Sequence, residues 1–256
     1  MTDNLEALQG ALPQILDGLL ITLELTVGGA LLAFIIAIGL GLLARFDNIL
    51  LRGFARVVIE FFRGTSLLVQ LFFFFFVLPL PPFNLELPPV FTGILALALN
   101  YGAYGAEVVR GSINAVPAGQ WEATTALSLS RTQRMWRVIF PQAWALMIPS
   151  LNNLLIQLLK GTAVVYLITI VDLTAELNKL RIQTDVFFAY TLGLIIYFVI
   201  AYLLSLVMNA LEARAKHRLG QSTRWRDAVA APDAAIDADA SADSIAAEEN
   251  TRKGMV

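Results

Sequence analysis

The chain has 256 residues, 57% of them hydrophobic and only 15% charged, with a mean hydropathy of +0.70, a balance that excludes an ordinary soluble domain. Its formal charge of −2 averages over long uncharged runs and short charged clusters. It has no cysteine, which excludes disulfides and thiolate metal sites, and its single histidine, His217, follows the last apolar run, so neither a catalytic nor a metal-ligating cluster is expected.

These features predict an all-α integral membrane protein, because a helix of roughly 20 apolar residues crosses a hydrocarbon core of about 30 Å. Residues 1–18 are acidic (Asp3, Glu6, Asp17) and form a predicted extracytoplasmic segment; they lack the basic start of a signal peptide, so Leu19–Ala44 reads as a retained first span. The second span is placed at Leu67–Leu80, with Phe54–Phe62 as an upstream extension. The proline-rich PLPPFNLELPP, from Pro79 to Pro89, forms a stiff loop. Val90–Val109 is the third span.

The next stretch, WEATTALSLSRTQRMWRVIFPQAW, is polar, basic and helix-prone. Val116–Gln120 supplies a turn and helix start, Trp121–Leu129 a first helix, and Arg131–Phe140 a second that ends at Pro141, giving a loop over about 117–141. From the residues alone, this is either a docking surface for another protein or a helix pair lying on lipid headgroups. Spans at Ala145–Val171 and Val186–Leu211 bring the expected number to about five and close a membrane body over 19–219. Residues 220–256, rich in Ala, Asp, Ser and Glu, lack the large apolar side chains of a core and are expected to be a disordered cytoplasmic tail.

Lysine and arginine set the orientation. Of 18 basic residues, 15 fall in Arg45–Arg63, in Arg110–Pro141 or after Leu211, whereas residues 1–18 and the Pro79–Pro89 loop have none. The N-terminus is therefore expected outside, and the basic loops and C-terminus in the cytoplasm.

Ionisable groups at mid-membrane cost about 2.5–3.5 kcal/mol even on the lenient insertion scale. Asn100, Tyr104, Glu107 and Gly111 fall on one face of span three, and Asn153, Gln157 and Lys160 on one face of span four. The two stripes either share a water-filled path or satisfy one another at a helix interface. Glu107 with Arg110, and Glu60 with Arg63, stand at the spacing of local ion pairs, while Lys160 is the residue expected to meet a solute.

The loop resembles the EAA loop of ATP-binding-cassette importer permeases. Glu122, Ala123 and Thr124 take its Glu-Ala-Ala positions, Ser128 its glycine, and Val138, Phe140 and Pro141 its closing positions, with both spacings kept. Further segments are similar to the polar amino acid permease family, the histidine-permease-like membrane subunits: RGTSLLVQ from Arg63, NYGAYGAEVVRGSINAVPAGQ from Asn100, and LKGTAVV from Leu159. In the last, Lys160 and Thr162 are kept, while Gly161 and Ala163 stand where aspartate and serine are usual. A finer resemblance reaches permeases for ectoine and hydroxyectoine.

The resemblance implies a multi-pass subunit of a bacterial cytoplasmic-membrane importer, not an enzyme, that moves a polar amino acid or an ectoine-like zwitterion. Its implied partners are an ATPase subunit docked on Glu122, Ala123, Thr124, Ser128 and Pro141, a second permease subunit, identical or related, an extracytoplasmic solute-binding protein and the lipid bilayer, but no nucleic acid. Asn100, Tyr104, Glu107, Asn153, Gln157, Lys160 and Thr162 would line the solute path. No cofactor of its own is expected: no lysine is followed by Ser or Thr, so the chain has no phosphate-binding Gly-Lys-Ser/Thr loop and ATP belongs to a partner. The alternative is a secondary transporter driven by an ion gradient, for which five spans leave little room for an inverted repeat.

Overall fold

The computed structural model describes residues 2–218, and within them every regular element is helical. The chain opens with α1 (Thr2–Leu43) and α2 (Ile49–Gly64), followed by α3 (Leu67–Phe72), which widens into a π-turn over Phe73–Val77. The long helix α4 (Pro89–Asn114) leads to α5 (Ala118–Ala126) and α6 (Arg131–Gln133). From α6 a second wide turn, Arg134–Ile139, passes directly into α7 (Phe140–Thr162). A short 3-10 turn over Val165–Ile168, α8 (Leu173–Gln183) and α9 (Val186–Arg218) complete the described chain. Contacts divide the molecule into Met1–Met208 and a second unit starting at Asn209, within which Glu212 and Lys216 pair at 2.7 Å. The tail expected over 220–256 lies outside the described residues.

Among the described residues three helices are long and apolar enough to cross a membrane: Glu6–Leu43, Arg131–Thr162 and Val186–His217; the bent α2–α3 pair, taken as one span, makes a fourth. The fifth long helix, α4, sits at the centre of the bundle and is lined by small buried residues, among them Gly102, Ala103, Gly105 and Ala106. A helix enclosed by other helices has no need of a lipid-facing apolar surface and can be built of small residues.

Several boundaries differ from those read in the sequence: the first span does not begin at Leu19, because residues 2–18 are already helix and continue into it, and the first loop helix is Ala118–Ala126 in place of Trp121–Leu129. Phe54–Phe62 does not continue span two as one helix, because the chain turns through 102° between Gly64 and Leu67; it belongs to a separate helix, α2. There, Ser66 takes extended dihedrals at the start of α3. The second loop helix does not stop at Pro141. Proline in the first turn of a helix has no N–H to leave unbonded, and Pro141 takes that place in α7. Span four's helix ends at Thr162 and not at Val171: a 3-10 turn over Val165–Ile168 follows, ending at left-handed Thr169 (φ 68°), and Asp172 then caps α8, its Oδ1 accepting from the Ala175 amide at 3.0 Å.

Small residues let α1 lie close along α4. A Cβ on Gly105 would stand 2.7 Å from that of Ala37, and one on Gly102 would meet Ile36 at 2.9 Å. A Cβ on Gly41 would meet Val109 at 2.8 Å. At the other end of α1, Leu8, Ala11 and Ile15 pack with Leu177 and Leu180 of α8 and Ala189 of α9. Near that end Asp185 accepts from the Phe188 amide and Asn4, both at 2.7 Å. These bonds hold its carboxylate below the ordinary value, the amide most strongly.

Gly105→Ala will lower the melting temperature of the purified protein, at an overpacking cost of about 1–3 kcal/mol. Gly39→Ala, where nothing lies within 4 Å of the added atom, will not. Thermal unfolding in detergent, the two variants side by side, is the check.

Candidate functional site

Two features qualify as functional sites: the loop between α4 and α7, and an exposed polar stripe along α7. The loop is a compact corner. Its first helix, α5, ends in a Schellman arrangement, in which the Leu129 amide donates to Thr124 O at 3.1 Å and the Ser128 amide to Thr125 O at 2.9 Å. That closure puts Ser128 in the left-handed region, φ 53°. Position 128 is where the EAA pattern carries glycine, and the backbone here shows the reason: a Cβ is tolerated only with strain. Ser130 then starts the next helix through a reciprocal capping box with Gln133.

The Glu-Ala-Thr triplet is split by burial. Glu122 and Ala123 are exposed, whereas Thr124 is buried, its hydroxyl donating to Trp121 O at 2.7 Å. Trp121, Glu122, Thr125 and Ala126 line a shallow open cavity on the outer side. Beneath the loop, Ile113, Val116 and Ile139 form a dry core with Ala143 and Met147. The Arg45 guanidinium lies 5.6 Å from the Trp121 ring and donates to Asn114, while Arg131 pairs with Asp47, so the loop is tied to the α1–α2 connection at both corners. Burial, and secondarily the charge of Arg110, push the Arg45 guanidinium below its ordinary value; it stays charged at neutral pH. Pro141 is exposed at the start of α7, next to Gln142, which donates to Gln120 at 3.1 Å.

The two polar stripes expected in the spans have different surroundings. On α4, Asn100 is buried and donates to Phe62 O at 3.1 Å and to Gln70 Oε1 at 3.3 Å. Tyr104 donates to Arg63 O at 3.2 Å, with the Arg63 guanidinium 5.4 Å from its ring. These side chains, together with Gln70 donating to Phe62 O at 2.9 Å and Thr65 O at 3.3 Å, satisfy the carbonyls freed where α2 breaks from α3. Glu107 is paired with Arg110 at 2.5 Å, and Glu60 with Arg63 at 3.4 Å. Thr162 is fully buried and bonds to Leu159 O at 2.7 Å.

On α7, by contrast, Asn153, Gln157 and Lys160 are all exposed, and Lys160 makes no ion pair among the described residues. Ser150, also exposed, extends the stripe one turn, a residue that the spacing from Asn153 could have revealed. Among the described residues no side-chain hydrogen bond joins the α4 and α7 stripes. The link between these helices is instead Tyr101, whose hydroxyl donates to the Gln157 main-chain carbonyl at 2.8 Å. No feature of the sequence singles out Tyr101, because its role depends on the absence of a side chain far along the chain, at Gly161.

Comparison with known proteins accords with this architecture. Residues 37–217 match the family described as "Binding-protein-dependent transport system inner membrane component". The probable amino-acid ABC transporter permease protein y4tF of Sinorhizobium fredii is 48% identical over 203 residues, covering 77% of this chain and 81% of the relative. The L-cystine transport system permease protein TcyB of Bacillus subtilis is 36% identical over 205 residues, covering 79% of this chain and 86% of its own. A crystal structure of an amino acid ABC transporter with histidines superposes with a TM-score of 0.75 at 32% identity, covering 84% of this chain and 99% of that one. The inward-facing MetNI methionine ABC transporter, at 17% identity and a TM-score of 0.64 over 80% of this chain and 97% of that one, shares the fold.

Ser128→Gly will stabilise the loop by about 1 kcal/mol by relieving the left-handed residue, and Ser128→Val will weaken it by at least as much. Hydrogen exchange at the Ser128 and Leu129 amides, slower in the glycine variant and faster in the valine variant, will report both.

Proposed function

Because this chain belongs to the family of inner-membrane components of binding-protein-dependent transport systems and is an amino-acid ABC transporter permease subunit, we propose that the α7 stripe of Asn153, Gln157 and Lys160 lines its solute path and that the α5–α6 corner couples the path to ATP hydrolysis. The subunit is a multi-pass transport component and not an enzyme; the ATPase is a separate subunit, and a binding protein is a further partner.

The observation that carries the proposal is the exposed polar stripe on a membrane-crossing helix. Lipid supplies no hydrogen bonds, so a carboxamide or ammonium that faces away from its own bundle must face water, a solute or a second subunit. A second permease subunit across from α7, identical or related, encloses the stripe. Asn100, Tyr104 and Glu107 frame the path by holding the α2–α3 bend against α4, and Thr162 holds the end of α7 in the core. Ser150 joins the lining.

Transport runs inward, with the N-terminus outside and the loop in the cytoplasm, as the placement of basic residues favours. The solute is a polar amino acid or a compact zwitterion of the ectoine type, supported by an ammonium at Lys160 with no carboxylate paired to it. Glu122, Ala123 and Ser128 present the outer surface of the corner to the ATPase, Thr124 anchors it from beneath, and Pro141 starts the helix that carries the displacement to the path. An ion-gradient-driven transporter would have no use for this corner.

The chain has no native cysteine, so single cysteines can be read directly. In the assembled transporter, Gln157→Cys and Asn153→Cys will react with a water-soluble thiol reagent about tenfold faster than Leu194→Cys on the apolar face of α9, because a thiol in lipid does not ionise. Equal rates would remove the path. For the corner, Glu122→Lys and Ala123→Asp will abolish ATP-driven uptake and co-purification of the ATPase while leaving membrane insertion intact; normal uptake by both would sink the coupling assignment.

A further inference from the structure

The residue that follows Lys160 has no side chain, and the space that one would enter is already filled from α4. A Cβ on Gly161 would lie 2.7 Å from Tyr101 Oη, 3.1 Å from Tyr101 Cε2 and 3.2 Å from Leu67 Cδ2. Swinging the Tyr101 ring aside would break the bond its hydroxyl donates to Gln157 O at 2.8 Å. The same bond fixes Tyr101 to the turn of α7 that carries Gln157 and Lys160.

No described carboxylate pairs with Lys160. Glu107, on α4, is committed to Arg110 at 2.5 Å. Leu67–Phe72 of α3 and the Val165–Ile168 turn contain no acidic residue. Asp172 is buried at the start of α8, bonded to the Ala175 amide at 3.0 Å.

We propose that Tyr101 and Gly161 form a size-complementary pair that keeps any acidic side chain out of the position beside Lys160, so that the ammonium acts on the solute as an uncompensated positive charge. The pair is then a specificity determinant. It favours solutes that present a carboxylate and disfavours those with a surplus cation, since an unpaired like charge in a poorly hydrated path is costly. Tyr101 acts as a positioning residue and touches no solute. This inference rests on the reading of the α7 stripe as the path. Gly161→Asp alone does not place a carboxylate beside Lys160 without displacing Tyr101, whose Oη stands 2.7 Å from where the added Cβ would be.

The test places Gln157→Cys in the complete transporter with its ATPase and binding protein, in liposomes. It compares the reaction rate of an anionic methanethiosulfonate, the sulfonatoethyl reagent, with that of a cationic one, the trimethylammonioethyl reagent. With Tyr101, Lys160 and Gly161 native, the anionic reagent is expected to be favoured. Lys160→Met will lower the anionic-to-cationic ratio about tenfold, and Tyr101→Ser with Gly161→Asp will lower it comparably with Lys160 still present. A ratio unchanged by either overturns the inference and leaves the path intact. A thiol that resists both reagents overturns the path, and the inference with it.

Folding supplies the second measurement, which does not depend on the double variant being active. Gly161→Ala will lower the melting temperature with Tyr101 native and will do so much less in a Tyr101→Ser background. Strictly additive losses, or a Gly161→Asp protein as stable as the native one, would show that the two residues do not compete for the same space.

Discussion

Hydrocarbon offers no partner to a polar group, and most of this molecule can be understood as a response to that rule. The chain breaks between two apolar helices at Gly64–Ser66, which frees main-chain carbonyls from helical bonding. Gln70, Asn100 and Tyr104 converge on those carbonyls from α3 and α4. Threonines within the bundle bond back to their own helices: Thr22 to Gly18 O at 3.0 Å and Thr26 to Thr22 O at 2.7 Å. Once these are assigned, the stripe on α7 is conspicuous because its side chains face away from the bundle. The functional reading follows from this contrast between satisfied and outward-facing polar groups.

Close packing at the centre complements polar satisfaction. Between two helices in lipid there is little hydrophobic drive, so association depends on how nearly the backbones can approach. Along α1 and α4 the approach is made by Ala37, Gly41, Gly102 and Gly105. Gly161 uses the same device for another purpose, admitting a phenol from the neighbouring helix in place of a side chain of its own.

The legible parts of the sequence were those where chemistry repeats at helical spacing. Asn153, Gln157 and Lys160 were read as one face and share one, and the loop spacing located Ser128 at a backbone position that favours glycine. The α4 residues also share a face, but its partner is the α2–α3 bend, which no spacing within α4 could reveal. The bend was hidden by continuous greasiness: Phe54 and Phe61 read as span, although Arg52, Arg56 and Glu60 interleave with them and Gly64–Thr65–Ser66 carries a stop and a start. Pro141 was read as a terminator because proline usually is one, yet the same lack of an N–H suits a helix beginning. Tyr101 and Gly161 are 60 positions apart in the sequence, and a contact of that kind appears only when the fold brings them together.

The wide turn at Arg134–Ile139 also bears on which way Lys160 points. A π-turn winds fewer degrees per residue than an α-turn, so over its six residues it stores a rotational offset of about 100° relative to regular helix. Because α7 stays helical from it to Thr162, with Pro149 removing one main-chain bond on the way, that offset is passed on to the residues above. Were the turn to tighten into α geometry, α7 would twist as one shaft and carry Asn153, Gln157 and Lys160 round to a different azimuth, some 30 Å from where the tightening occurred. The wide turn thus sets the phase between the loop and the polar stripe, and a single residue inserted or deleted between Ser130 and Pro141 would shift that phase without altering a side chain at either end.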